Sequence, residues 1–140
     1  MVRRGQQNKR ALREASKSAF EQLDSPHGTY APPDREKCRY RQWDTPVDDL
    51  GTVRLQFNIW RANGQIADFV INVQVLTSDG WTSVERVDCC HGHCHLHVDN
   101  DDENARSLYK LDGPADVEHA FSRVQVLADQ RARIIRDRGA

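Results

Sequence analysis

Two runs of alternating apolar and polar residues, hinged on Asn63-Gly64, constrain this 140-residue chain more than any other feature. In the first, Val53, Leu55, Phe57 and Ile59 alternate with Arg54, Gln56, Asn58 and Trp60. In the second, Ala67, Phe69, Ile71, Val73 and Val75 share one parity, while Asp68, Asn72 and Gln74 hold the other. Side chains alternate sides along a strand, so a period of two gives each strand one oily and one polar face. Asn-Gly tolerates the positive φ angles of a tight turn, and the two runs are predicted to form an antiparallel hairpin.

Ser78-Asp79-Gly80 turns the chain again, and a third run, from 81 to about 98, reads as one long strand with a bulge or bend near Asp88 and Cys89. Leu108-Tyr109-Lys110-Leu111 reads as a short edge strand. A helix is expected over 6–23, where Leu12, Ala15, Ala19 and Leu23 recur at spacings of three and four. Asp24-Ser25-Pro26-His27-Gly28 ends it, and a loop with Pro32-Pro33 and Pro46 runs to about Leu50. A second helix is expected over 115–137, with an apolar stripe of Val117, Ala120, Phe121, Val124, Leu127, Ala128, Ile134 and Ile135. The expected fold is α+β: an antiparallel β-meander of three to four strands, with an N-terminal helix and a C-terminal helix covering one sheet face. Residues 1–50 form the basic helix and proline loop in this reading, and 51–140 the meander domain.

Charge is unevenly spread. Residues 1–20 carry six basic side chains against Glu14 alone, whereas 98–118 carry seven acidic ones against Arg106 and Lys110. Such a basic arm suits nucleic acid, an acidic segment of the same or a neighbouring chain, or plain solvent. The mean hydropathy of −0.77 fits polar termini around a smaller folded centre. No stretch approaches the roughly 18 apolar residues of a membrane helix, and no apolar segment follows Met1-Val2-Arg3-Arg4. The expectation is a soluble, cytoplasmic protein without a membrane partner. Three of the four cysteines, Cys89, Cys90 and Cys94, fall within six residues, a spacing unlike a disulfide framework, so reduced thiols are expected. Cys90 and Cys94 read as small core hydrophobes.

Four of six histidines stand at 91, 93, 95 and 97. On one strand they share a face, with Cα atoms roughly 6.5–7 Å apart. Three uses of that face follow. Two imidazoles titrating near neutrality can serve as general base and general acid, which suffices to cleave RNA through its own 2′-hydroxyl. Arg54, Arg86 or Lys110 would steady the phosphate charge, and Trp60 or Tyr109 would stack on a base. Alternatively Cys89, His91, His93, His95 and His97 offer nitrogen and sulfur ligands to zinc or another transition metal, with Asp68, Asp88, His119, solvent or a second subunit completing the shell. The third use is non-catalytic: a pH-sensitive histidine tract on an interaction domain. No phosphate-cradling glycine loop or Ser-His-Asp arrangement points to nucleotide hydrolysis or acyl transfer.

The segments Arg86-Val87-Asp88, His91-Gly92, His95-Leu96-His97, Leu108-Tyr109-Lys110-Leu111 and Ala115-Asp116-Val117-Glu118-His119-Ala120-Phe121 occur in an order that resembles the TumE-type toxins of bacterial toxin–antitoxin pairs and related small histidine-motif domains. The likeness covers about half of the chain, residues 52–127, and omits the basic helix and proline loop. It implies a cytoplasmic protein acting on RNA and neutralised by a cognate antitoxin protein; the acid–base use of the histidines requires no cofactor. Carried over by position, it implies a site of Asp88, His91, His95 and His97, with His93 and the cysteines as additions of this sequence.

Overall fold

Asn63 and Gly64 take φ angles of 54° and 76°, the positive pair of a tight hairpin turn, and the two alternating runs meet across it. The computed structural model describes residues 28–90, 92–100 and 105–138. Its elements are β1 (Arg39–Pro46), β2 (Val53–Ala62), β3 (Gln65–Thr77), β4 (Gly80–Cys90), β5 (His93–His97), β6 (Ala105–Lys110) and α1 (Pro114–Arg138). The strands form one six-stranded sheet in sequence order, every neighbour antiparallel.

This corrects the expected three to four strands, at two places. The segment read as a loop to Leu50 contains β1, an edge strand paired with β2 from Arg39↔Arg61 to Pro46↔Arg54. The run read as one long strand is a hairpin: β4 ends at Cys90, and Cys90 pairs back onto His93. Among the described residues α1 is the one α-helix; the helix expected over 6–23 lies outside them.

Pro114 opens α1, where its missing N–H costs nothing, and Asp116 Oδ2 accepts the amides of Asp112 and Gly113 at 2.9 and 3.2 Å. The buried stripe is Val117, Ala120, Phe121, Val124, Ala128 and Ala132. Phe121 meets Phe57 and Phe69 edge-on, at 6.2 and 5.2 Å between ring centroids, and Trp43 of β1 stacks on Phe57 at 5.0 Å. Ala128 and Ala132 keep the later turns close to the sheet. Ile134, expected in the stripe, is instead 42% exposed. No helix among the described residues is long and apolar enough to cross a membrane.

The helix covers one face, here the helix face. Its carpet is Val53, Leu55, Phe57 and Ile59 from β2, Phe69, Ile71 and Val73 from β3, Val87 and Cys89 from β4, and Cys94 and Leu96 from β5, all buried. Residues of the opposite parity make the open face.

Residues 28–38 run as a strap along one end of the sheet. Tyr30 N–H donates to Leu111 O at 3.1 Å, its hydroxyl donates to Ala67 O at 2.6 Å, and Arg35 Nε reaches Asp68 Oδ2 at 2.8 Å. The strap starts against the β4–β5 turn, where Gly92 has φ 78° and a Cβ on it would stand 2.0 Å from Gly28 O. A side chain at 92 therefore meets both backbone strain and a backbone clash. Gly92→Ala is expected to destabilise the fold by about 2–4 kcal/mol, the strain alone costing about 1–3. Urea unfolding checks this; a loss below about 0.5 kcal/mol would contradict the Gly28–Gly92 contact.

Candidate acid–base site on the open sheet face

The hairpin decides which residues meet. Because two residues separate Cys90 from His93, parity inverts across the turn. Asp88 stands opposite His95, Arg86 opposite His97, and Cys89 opposite Cys94. The odd-numbered histidines of β5 thus share the open face with Arg86 and Asp88 of β4.

At its centre, His97 Nε2 lies 3.0 Å from Asp88 Oδ1, and Asp88 Oδ2 accepts from Arg86 Nε at 2.9 Å. One carboxylate therefore fixes an imidazole with one oxygen and a guanidinium with the other. The His95 ring is 6.1 Å from that of His97 and 5.6 Å from that of His93. His95 is partly exposed, while His93 and His97 are buried. His91 lies outside the described residues.

The face continues across β4, β3 and β2 as a polar network. Arg54 Nε donates to Gln74 Oε1 at 2.8 Å, Gln74 Nε2 to Ser83 Oγ at 3.1 Å, and Asn72 Nδ2 to Gln56 Oε1 at 3.0 Å. Asn58 accepts from the Tyr40 hydroxyl of β1. Both tryptophans on this side are capped by guanidinium groups: Arg54 lies 4.2 Å from the Trp81 ring centroid and Arg35 4.0 Å from that of Trp60.

Several expected site residues stand elsewhere. Cys89 is on the helix face, buried beside Cys94, so it cannot share an ion with the histidines. Its hydrogen bond with Cys94, and then burial, push its thiol far above the usual range, which keeps it protonated and a poor ligand. Among the described residues no three His, Cys, Asp or Glu side chains are grouped to hold one metal ion. Tyr109 pairs with Cys94 across a bulge and lies under Arg123 of α1, so it too is on the helix face and cannot stack beside His95. Lys110, by contrast, pairs with His93 and so keeps to the open face, exposed on the border strand. His119 is exposed on α1, and Asp68 is bound to Arg35, so neither joins the histidines.

Sequence reasoning missed Tyr40 and Arg35, which flank Trp60, and it missed the hairpin. The available signal for the hairpin was Gly92 inside a strand pattern, a common mark of a bend or turn.

Asp68 is a buried carboxyl on the same face. Burial raises its pKa above the ordinary 3.8, outweighing the lowering by Arg35. The folded state therefore holds this proton more tightly than the unfolded chain does. Its stability falls as pH rises from about the ordinary carboxylate value through the raised one, and stays lowered above it. Asp68→Asn is expected to remove that slope and to match or exceed the wild type at pH 7, by up to about 1 kcal/mol. Urea midpoints between pH 4 and 7 check it; a variant clearly weaker at pH 7 would mean that the Arg35 pair outweighs burial.

The described residues thus make an open-faced six-stranded antiparallel meander, backed by one helix and carrying an Arg-Asp-His array. The chain belongs to the family described as Domain of unknown function (DUF7718), whose model matches residues 35–138. No match was found among curated proteins or among solved structures.

Proposed function

We propose that the open face cleaves single-stranded RNA by acid–base transesterification, using the chain's own imidazoles and no metal cofactor. The observation that carries this reading is the pairing of His97 with Asp88 at 3.0 Å, beside a second imidazole whose ring is 6.1 Å away. Two rings at that separation can each come within hydrogen-bond reach, about 3 Å, of different oxygens on one phosphorus. One imidazole takes the 2′-hydroxyl proton as that oxygen attacks phosphorus. The other, protonated, gives its proton to the 5′-oxygen as the P–O5′ bond breaks. The products are a 2′,3′-cyclic phosphate and a 5′-hydroxyl, with no net oxidation and no net proton change.

Asp88 is a positioning residue here: it holds the His97 ring, and Arg86 holds Asp88. Arg86 also brings positive charge to the place where the phosphorane would form. Arg54, Gln56, Asn58, Asn72 and Gln74 supply the polar bed for the strand on either side. In this reading the chain is a toxin-like nuclease restrained by a cognate antitoxin protein, as its likeness to TumE-type toxins implies.

The test is a short single-stranded RNA incubated with untagged full-length protein at neutral pH in a metal chelator. Cleavage lost in His95→Ala and in His97→Ala, with folding intact, supports the reading. Intact RNA in chelator but cleavage with added zinc would favour a metal-dependent reaction instead. RNA left intact under both conditions would remove the nuclease reading.

A further inference from the structure

The last strand of the sheet is also its border. β6 pairs with β5 on one side, and among the described residues no strand pairs with its other side. Just around that border, between β6 and the first turns of α1, lies a groove of about 330 Å³ lined by Tyr109, Lys110, Asp116, His119, Ala120 and Arg123.

Its charge is not balanced locally. Among the described residues neither Lys110 nor Arg123 has a carboxylate partner. The acidic residue in the lining, Asp116, has its Oδ2 turned to the amides of Asp112 and Gly113, where it offsets the positive start of α1. Arg123 sits 5.6 Å from the Tyr109 ring centroid, which steers its guanidinium over the groove wall. His119 adds an exposed imidazole donor. A cleft with two cations that no described carboxylate pairs, an imidazole and an aromatic floor suits an oxyanion carried on a larger molecule.

The position of the groove matters as much as its chemistry. Lys110 pairs with His93, Tyr109 with Cys94, and Ser107 with His95, so the groove is one strand away from the histidines, about 5 Å in the hydrogen-bonding direction. We propose that this groove holds a backbone phosphate of a single-stranded nucleic acid that folds over the β6 border, a few nucleotides from the phosphate on the histidine face. The proposal rests on the reading of the open face as the cleavage site, and it adds a subsite at the β6 border, between Lys110 of the open face and Tyr109 of the helix face.

The experiment measures binding apart from cleavage. A fluorescent 2′-deoxy oligonucleotide has the same phosphates and no 2′-hydroxyl, so it binds without being cut. Its affinity for full-length wild type, Lys110→Gln and Arg123→Gln is read by anisotropy over a salt series. Both replaced residues are exposed, and melting curves verify that the variants fold. Each variant is expected to bind about 3–10-fold more weakly, with the slope of log affinity against log salt shallower by about 0.7. Unchanged affinity and slope in both variants would overturn the subsite, as would failure of the wild type to bind the oligonucleotide. Binding of an acidic peptide to the wild type, lost in Arg123→Gln while the oligonucleotide remains bound, would also overturn it and assign the groove to a protein partner. Loss of RNA cleavage in His97→Ala leaves the binding readout intact, so the two readings fail separately.

Discussion

Asp88→Asn is expected to lower RNA cleavage by about 10²–10⁴-fold, as much as removal of an acid–base group itself. Asp88 touches no substrate in the proposed reaction, so the size of the effect needs a reason. Its two oxygens divide between His97 Nε2 at 3.0 Å and Arg86 Nε at 2.9 Å. An amide keeps one oxygen and replaces the other with an NH₂ donor. Either Arg86 then faces a donor, or His97 must accept at Nε2 and take the other tautomer. In both cases the imidazole is no longer held ready to exchange a proton with a phosphate oxygen. A merely structural role for Asp88 would appear as lost stability with cleavage per folded molecule preserved. The reverse is expected: a urea midpoint close to wild type and a fall in the rate constant. Arg86→Lys separates charge from geometry, because lysine retains the charge but lacks the guanidinium fork. It is expected to recover only part of the activity lost in Arg86→Ala.

A loss of stability as large as that of Gly92→Ala is expected from Arg131→Ala. Glu85 lies on the helix face of β4, paired with Val73, and its side chain is only 4% exposed. Arg131 reaches down from α1 and donates to both carboxylate oxygens, through Nε at 2.8 Å and through Nη2. That geometry raises the guanidinium pKa further, first through its hydrogen bond to Glu85. Removing the arginine leaves a carboxylate buried under a helix with its main partner gone. The cost is expected to be about 2–4 kcal/mol, somewhat below that of a fully buried pair because Arg131 is 21% exposed. Replacing both partners, as Glu85→Leu with Arg131→Met, removes the buried charge together with its counter-ion. The double variant is expected to regain most of the lost stability. Urea unfolding of the three variants checks this; equal losses in the single and double variants would mean that packing, rather than the ion pair, is what Arg131 supplies.

The parts of this fold legible in the sequence are those whose signal is local and two-sided. β2 and β3 each bury one face under α1, so their apolar residues must alternate, and Asn63-Gly64 fixes where they reverse. The later helix shows itself by the same logic at a period of 3.6. β1 was hidden because it buries almost nothing: Arg39-Tyr40-Arg41-Gln42-Trp43-Asp44 is exposed along its length except at Trp43. It is held by backbone pairing to β2, which no side-chain pattern reports. The histidine tract misled in a different way. Alternation within β5 is real, but the turn before it inverts parity relative to β4, so Asp88 joins the histidines while Cys89 leaves them. Tyr109 crossed to the helix face for a related reason, a register shift in the β5–β6 pairing between Cys94 and His95. A one-residue slip moves every later side chain to the other face, and composition carries no trace of it.

In the proposed reaction His95 and His97 move protons between the oxygens of one phosphorus. The most direct measurement is the chemistry of the cut ends, read by mass spectrometry after wild-type protein has acted on a defined single-stranded RNA in chelator. Fragments ending in 2′,3′-cyclic phosphate and beginning with 5′-hydroxyl are expected, and none when His97→Ala is used. Fragments bearing 3′-hydroxyl and 5′-phosphate, or RNA left whole by folded protein, would contradict it.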